Sequence, residues 1–284
     1  MEAIDCSTTL NLSTASTMKN SGVVAAGRYL GYKNMNWSKS IPPEEVRVIH
    51  DAGLALFLIW ESSPTNSGYF SYDKGVSDAK LAVDEAVFLG APSSAAIYFT
   101  VDFDAQAGDI AVILEYFRGV RDGIVGRYLV GAYGSYNVMT ALKVSANPPD
   151  KYFQTYAWSG GQVFPGNHIY QYQNDTTVEG VAVDRDQIQN NCGAWPEIGG
   201  GKDVLEVAVL FFTKEDYWSG TDVAVKNGNC AMFVRPADLS VPKDAMSAKQ
   251  LIVIGGPTTG HPNEVLLSGK TKYDTAAAVA KYLG

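Results

Sequence analysis

A chain of 284 residues, 46% hydrophobic and 18% charged, is long enough for one large core and a second small one. Its net charge of −8 sits wholly in residues 1–200, with 13 Lys+Arg against 21 Asp+Glu, while residues 201–284 balance at 9 against 9. Neither part has the basic face that phosphate backbones need, which argues against nucleic acid as a partner. No apolar run reaches the ~18 residues of a membrane span. Met1-Glu2-Ala3-Ile4-Asp5 has neither the basic nor the apolar region of a secretory leader, so the expectation is synthesis in the cytoplasm without a signal peptide.

Taken in order, Ala3-Ile4-Asp5 reads as a first strand, and Ser7 to Ser21 as a loop with a short helix. Val23–Leu30 is a second strand. Ile41-Pro42-Pro43-Glu44-Glu45 opens a helix, with Pro in the first turn and acids at its positive end; Gly53 closes it. Leu54–Trp60 is continuously apolar, the pattern of a strand covered on both faces, and Glu61 follows it. Ser77–Leu89 has helical periodicity. Ile97–Asp104 reads as the fourth strand, on which Asp102 and Asp104 share a face with Thr100 and Tyr98. Asp109–Asp122 is a helix, Tyr128–Tyr133 a strand and Asn137–Leu142 a short helix. Tyr152–Trp158, Ile169–Tyr172 and Val181–Asp184 complete eight strands, the last three too close together for full helices between them. Strand–helix alternation without a Gly-rich phosphate loop predicts an irregular (β/α)8 barrel of the TIM type rather than an open nucleotide-binding sheet. Asn190–Lys202, with Gly199-Gly200-Gly201, is the expected boundary. A barrel over 1–192, a linker over 193–203 and a small α/β domain over 204–284 follow.

Asp5, Glu61, Asp104 and Asp184 each end a predicted strand, and Asp102 lies just inside one. In a barrel these ends converge on one face, so four strands deliver five carboxylates to one cleft. Crowded carboxylates repel, which raises at least one pKa and leaves a protonated acid able to donate to a leaving oxygen. Trp60, Tyr133, Trp158 and Tyr172 at or near strand ends offer flat apolar faces for sugar rings. Asp-x-Asp alone lacks the further ligands or phosphate loop of a hard-cation site, and His50, His168 and His261 have no ligand spacing. Cys6, Cys192 and Cys230 are odd in number and widely spaced, so free thiols are expected, with no metal and no cofactor. No Gly-x-Ser-x-Gly elbow is present.

Asp5 after the first strand, Tyr98-Phe99-Thr100-Val101-Asp102-Phe103-Asp104, and Tyr170-Gln171-Tyr172 with Gly180-Val181-Ala182-Val183-Asp184 resemble a glycoside-hydrolase-like family once known as a domain of unknown function, which is similar to the family 25 lysozymes. Gly27-Arg28-Tyr29-Leu30 and Gly131-Ala132-Tyr133-Gly134 share the resemblance, which spans roughly residues 1–192. It implies cleavage of peptidoglycan glycan at the β-1,4 bond between N-acetylmuramic acid and N-acetylglucosamine. By position, Asp5 and Asp184 would orient substrate or water, Asp102 would be the stabilising or assisting carboxylate, and Arg28, Tyr29 and Gln171 would contact substrate. The lysozymes carry Asp-x-Glu with Glu as general acid; here Asp104 is one methylene shorter. Either Asp104 still reaches the glycosidic oxygen, Glu61 takes the acid role, or catalysis is weak or lost.

Leu251-Ile252-Val253-Ile254-Gly255-Gly256-Pro257 and Lys272–Ala280 resemble a cell wall binding type 2 repeat. Such repeats pack in threes, so a single unit implies a homo-oligomer through the tail, a trimer if the threefold packing is kept. The reading is an endolysin-like peptidoglycan hydrolase, its partners peptidoglycan and a cell-wall polymer, acting on the wall after holin-dependent release. The alternatives are a non-catalytic wall-glycan-binding protein with a degenerate site and a glycosidase for another polysaccharide.

Overall fold

The structure, a computed structural model, describes residues 1–197 and 205–284. They fall into two compact units, Met1–Gly200 and Gly201–Gly284. The Gly199-Gly200-Gly201 run and Val204 lie outside the described residues.

In the first unit, β1 (Glu2–Asp5), β2 (Ala25–Tyr29), β3 (Ala55–Trp60), β4 (Ala96–Thr100), β5 (Leu129–Gly134), β6 (Lys151–Thr155), β7 (Ile169–Val178) and β8 (Val181–Ile188) close into a barrel in sequence order. Around it run α1 (Leu12–Asn20), α2 (Tyr32–Met35), α3 (Pro43–Asp51), α4 (Tyr72–Phe88), α5 (Ile110–Ile124) and α6 (Tyr136–Lys143). Strand alternation sorts the side chains into two cores. Ala3, Ala25, Ala55, Phe57, Ile59, Tyr98, Phe153 and Ile169 fill the interior, while Ile4, Ala26, Leu56, Leu58, Trp60, Ile97, Phe99 and Val130 face the helices. The rings of Phe57, Tyr98 and Phe153 meet edge to face, with centroids 5.7–6.2 Å apart. Gly27 and Gly131 make this room: a Cβ on Gly27 would stand 2.3 Å from the Phe57 ring, and one on Gly131 2.5 Å from the Tyr98 ring.

The first seven strands are parallel to their neighbours, but β8 runs antiparallel to both β7 and β1. β7 and β8 are one long hairpin, turned at Glu179-Gly180 with φ of 51° and 80°, as a two-residue turn with positive φ at both positions requires. This is why no helix fits between the last strands. Both strands are longer than the sequence indicated, whereas β4 is shorter: it stops at Thr100, so Asp102 and Asp104 lie in the following turn.

Residues 193–195, expected in the linker, pack instead on the barrel. Trp195 exchanges two 2.7 Å backbone hydrogen bonds with Leu56, and the Gly193 carbonyl accepts from Ala96 N at 2.9 Å. Cys192 and Ala194 join the interior core. All three cysteines are free thiols.

The second unit has a parallel sheet in the order β10 (Ala231–Val234), β9 (Val207–Phe211), β11 (Gln250–Ile254), β12 (Glu264–Leu267). α7 (Tyr217–Lys226) and α9 (Lys272–Leu283) cover Val209, Phe211, Ile252 and Ile254 on one face; Ala245 from α8 (Lys243–Met246) packs with Ala208, Leu210, Leu251 and Val253 on the other.

Candidate active site

At the C-terminal ends of β1–β6, joined by residues of β7 and β8, Asp5, Tyr29, Ile59, Glu61, Thr100, Asp102, Tyr133, Phe153, Gln171, Asn174 and Asp184 line a cleft of about 230 Å³. A second hollow of about 190 Å³ shares Asp5, Tyr29 and Asp184 with it and adds Cys6, Ser7 and Asp175. The placement follows from alternation: Asp5 is two residues beyond inward Ala3, Tyr29 two beyond Gly27, Tyr133 two beyond Gly131, and Gln171 two beyond Ile169.

Two carboxylates are held by a hydrogen-bonded frame. Tyr29 donates to Asp5 Oδ1 at 3.0 Å, and Gln171 Nε2 donates to Asp5 Oδ2 at 2.9 Å and to Asp184 Oδ2 at 3.3 Å. Tyr133 donates to Gln171 Oε1 at 2.8 Å, which fixes the amide with its nitrogen toward the acids. Asp184 Oδ1 accepts from Asp175 N at 2.9 Å. On the other side, Glu61 pairs with Lys39, and the Asp102 amide donates to Pro64 O at 3.0 Å, anchoring the turn after β4.

Burial raises the acids. The Asp5 carboxyl is pushed up to about 7 by burial and then by the Asp184 charge, against the hydrogen bonds from Gln171 and Tyr29. Asp102, half-buried and open to the cleft, is raised to about 6 by burial and then by Glu61. Asp184 is raised mainly by burial. The arrangement sets a carboxyl of raised pKa, open to the cleft, among other carboxylates, a combination that general acid catalysis can use.

Of the residues singled out in the sequence, Asp5, Glu61, Asp102, Asp184, Tyr29, Tyr133 and Gln171 meet in this cleft. The others are elsewhere. Asp104 is exposed in the turn after β4 and does not line the cleft, because the strand alternation that would have aligned it with Asp102 stops at Thr100. Arg28 is fully buried on the outward face of β2, with Nε 2.8 Å from Glu45 Oε1 of α3. Trp60 faces outward against Trp37, their centroids 5.3 Å apart. Tyr172 donates to Glu2, which also pairs with Arg185. Trp158 follows β6 at the rim, 42% exposed, with φ of 54°.

Asp186 was not foreseen. It lies two residues beyond Asp184, paired with Ala3 and Gln171, wholly buried, with neither carboxyl oxygen meeting a partner among the described residues. Burial and then the Asp5 charge raise it well above the usual carboxylate range. Among the described residues no cluster of His, Cys, Asp and Glu is arranged to hold a metal ion.

Two curated proteins and a solved structure are similar to this chain. "Uncharacterized protein YbfG" of Bacillus subtilis is 33% identical over 187 residues, 61% of this chain, and FadG of the same organism is 32% identical over 146 residues, 49% of the chain. The aligned part spans only 25% of either relative. The crystal structure of the Mycobacterium tuberculosis Tat-secreted protein Rv2525c in complex with L-tartrate superposes with a TM-score of 0.59 at 24% identity, covering 68% of this chain and 98% of that one. The Rv2525c-like, glycoside hydrolase-like domain model matches residues 16–191, which hold seven of the eight strands and every cleft residue except Asp5. The chain belongs to the Rv2525c-like, glycoside hydrolase-like domain family.

Proposed function

We propose that the barrel is an endolysin-like N-acetylmuramidase, hydrolysing the β-1,4 bonds of peptidoglycan glycan, and that the C-terminal unit holds it on the wall through a cell-wall polymer. The observation that carries the reading is the gathering of Asp5, Glu61, Asp102 and Asp184 in one cleft, where burial and then Glu61 raise Asp102 to about 6. The glycoside-hydrolase-like family supports it. In this mechanism Asp102, not Asp104, gives its proton to the glycosidic oxygen. Glu61 offers negative charge to the positive character that develops on the sugar. Asp5 and Asp184, fixed by Gln171, orient the attacking group, whether water or the substrate's own acetamido oxygen. Tyr156 and Trp158, 43% and 42% exposed just past β6, supply stacking faces at the rim, and the left-handed backbone of Trp158 is the kind of local strain found at ligand contacts.

The exposed Asp104, absent from the cleft lining, favours a second reading, a barrel that binds wall glycan without cutting it. Turbidity loss and reducing-end release on purified Gram-positive walls separate the two. Hydrolysis predicts release by the wild type, a loss of at least about 100-fold in Asp102→Asn, and near wild-type release in Asp104→Asn. Tight binding to several walls with no release by the wild type establishes the binding protein instead.

A further inference from the structure

Glu61 follows β3 and Asp102 follows β4, so both cleft carboxylates stand on connecting segments rather than on strands. The first segment braces the second. The Pro64 carbonyl accepts from Asp102 N at 3.0 Å, and the buried Phe70 packs on Phe103 with ring centroids 5.9 Å apart. Residues 61–70 thus carry one carboxylate and hold the turn that carries the other. A chain of hydrogen bonds outside the cleft lining fixes this segment. Ser62 Oγ is 2.6 Å from the hydroxyl of Tyr69, in the one-turn helix Ser67–Tyr69. Tyr69 donates to Asp78 Oδ2 of α4, so Ser62 is the donor toward Tyr69. Asp78 is fully buried and also accepts from Tyr116 of α5 at 2.9 Å and from Lys74 Nζ at 2.6 Å.

A carboxylate on a connecting segment has no strand ladder to hold it, and an error of about 1 Å in its place can cost roughly 100-fold in rate. A buried network whose members are all satisfied supplies the missing rigidity, because it has one arrangement. We propose that Tyr69 is a positioning residue: its hydroxyl, held by Asp78 and accepting from Ser62, sets residues 61–70 so that Glu61 and Asp102 keep their working separation across the cleft. The proposal rests on the hydrolase reading. A merely structural network would join α4 to α5 through Asp78, and the Tyr116 hydroxyl makes that link to the same oxygen.

The test compares Tyr69→Phe with Tyr116→Phe in the full chain. Each removes one hydroxyl from the same Asp78 oxygen and keeps its ring; the first belongs to the segment after β3, the second to α5. Two properties are read: kcat and KM for reducing-end release from soluble glycan, and amide hydrogen exchange at Asp102 N–H, whose acceptor is Pro64 O. Tyr69→Phe should lower kcat about 10-fold with KM nearly unchanged. It should also speed exchange at Asp102 by about 10-fold while the amides of β4 keep their rates. Ser62→Ala, which leaves Asp78 all its donors, should do the same, and it decides the matter if Tyr69→Phe does not fold. Tyr116→Phe should leave kcat and the Asp102 amide as in the wild type. Equal effects of the two tyrosine changes, or faster exchange at Asp102 with kcat unmoved, overturn the proposal. Failure of the hydrolase reading shows separately, as no release by the wild type, and the exchange comparison then still decides whether the Tyr69 hydroxyl holds the Asp102 turn.

Discussion

Asp186 costs the folded barrel stability in a way that pH exposes. In the unfolded chain an aspartate ionises near 3.8; in the fold, burial and the nearby Asp5 raise it well above that value. For an acid raised on folding, the unfolded state loses its proton first, so stability falls as pH climbs from the unfolded pKa toward the folded one. Asp186→Asn removes this linkage while keeping a polar group of the same shape. The melting temperature of the variant minus that of the wild type should therefore widen from pH 4 to pH 7.5, as read by calorimetry; a constant difference would show that Asp186 has partners that hold it charged. The residue was within reach of the sequence, since it continues the alternation that placed Asp184 inward. It was missed because Arg185-Asp186-Gln187 is too polar to look like buried strand, and only the return strand of a hairpin makes it so. The reverse error befell Asp104, where alternation was extended four residues past the real end of β4 at Thr100.

At the level of elements, β2 and α3 are locked by a buried charge pair. Arg28 Nε and Nη2 lie 2.8 and 3.1 Å from the two Glu45 oxygens, Nη1 donates to Cys6 O, and Leu10 N donates to Glu45 Oε1 at 2.8 Å. One guanidinium and one carboxylate thus tie the loop between β1 and α1, β2 and α3 together, with both side chains fully buried. Arg28→Met leaves Glu45 buried and uncompensated, at a cost of about 3–5 kcal/mol, whereas the double change Arg28→Met, Glu45→Leu recovers much of that loss. Urea unfolding of the three proteins measures it; equal losses in the single and double variants would contradict the pair's role. Sequence position could not separate this use of Arg28 from a substrate contact. In a barrel strand buried on both faces, composition says little about which face is inward, and Arg28 and Tyr29 differ only by that parity. The same parity sent Trp60 to the helix layer and Ile59 to the cleft.

For the molecule as a whole, the eight-strand count and the alternation of strand and helix were legible because parallel strands buried on both faces must be apolar runs. The antiparallel close of the barrel was not, since a long hairpin with a polar outer face resembles two short strands and a loop. Nor was the packing of residues 193–195, since Gly193 and the following Pro196 look like linker while the backbone of Trp195 extends the barrel's hydrogen bonding. Each unit has its own apolar clusters, with no described residue common to those of the barrel and those of the C-terminal sheet. A core that closes within residues 1–197 should fold without the tail. On the hydrolase reading, a chain ended after Glu197 should therefore keep the wild-type rate of reducing-end release on short soluble glycans, because every cleft residue is retained. If the tail is the wall anchor, the same chain should lose retention on insoluble walls, since attachment through two sites exceeds attachment through one by a factor of roughly 100 or more. Pelleting with walls and assay on soluble glycan, run on the same two proteins, read the two properties separately; undiminished pelleting of the shortened chain would place wall attachment on the barrel itself.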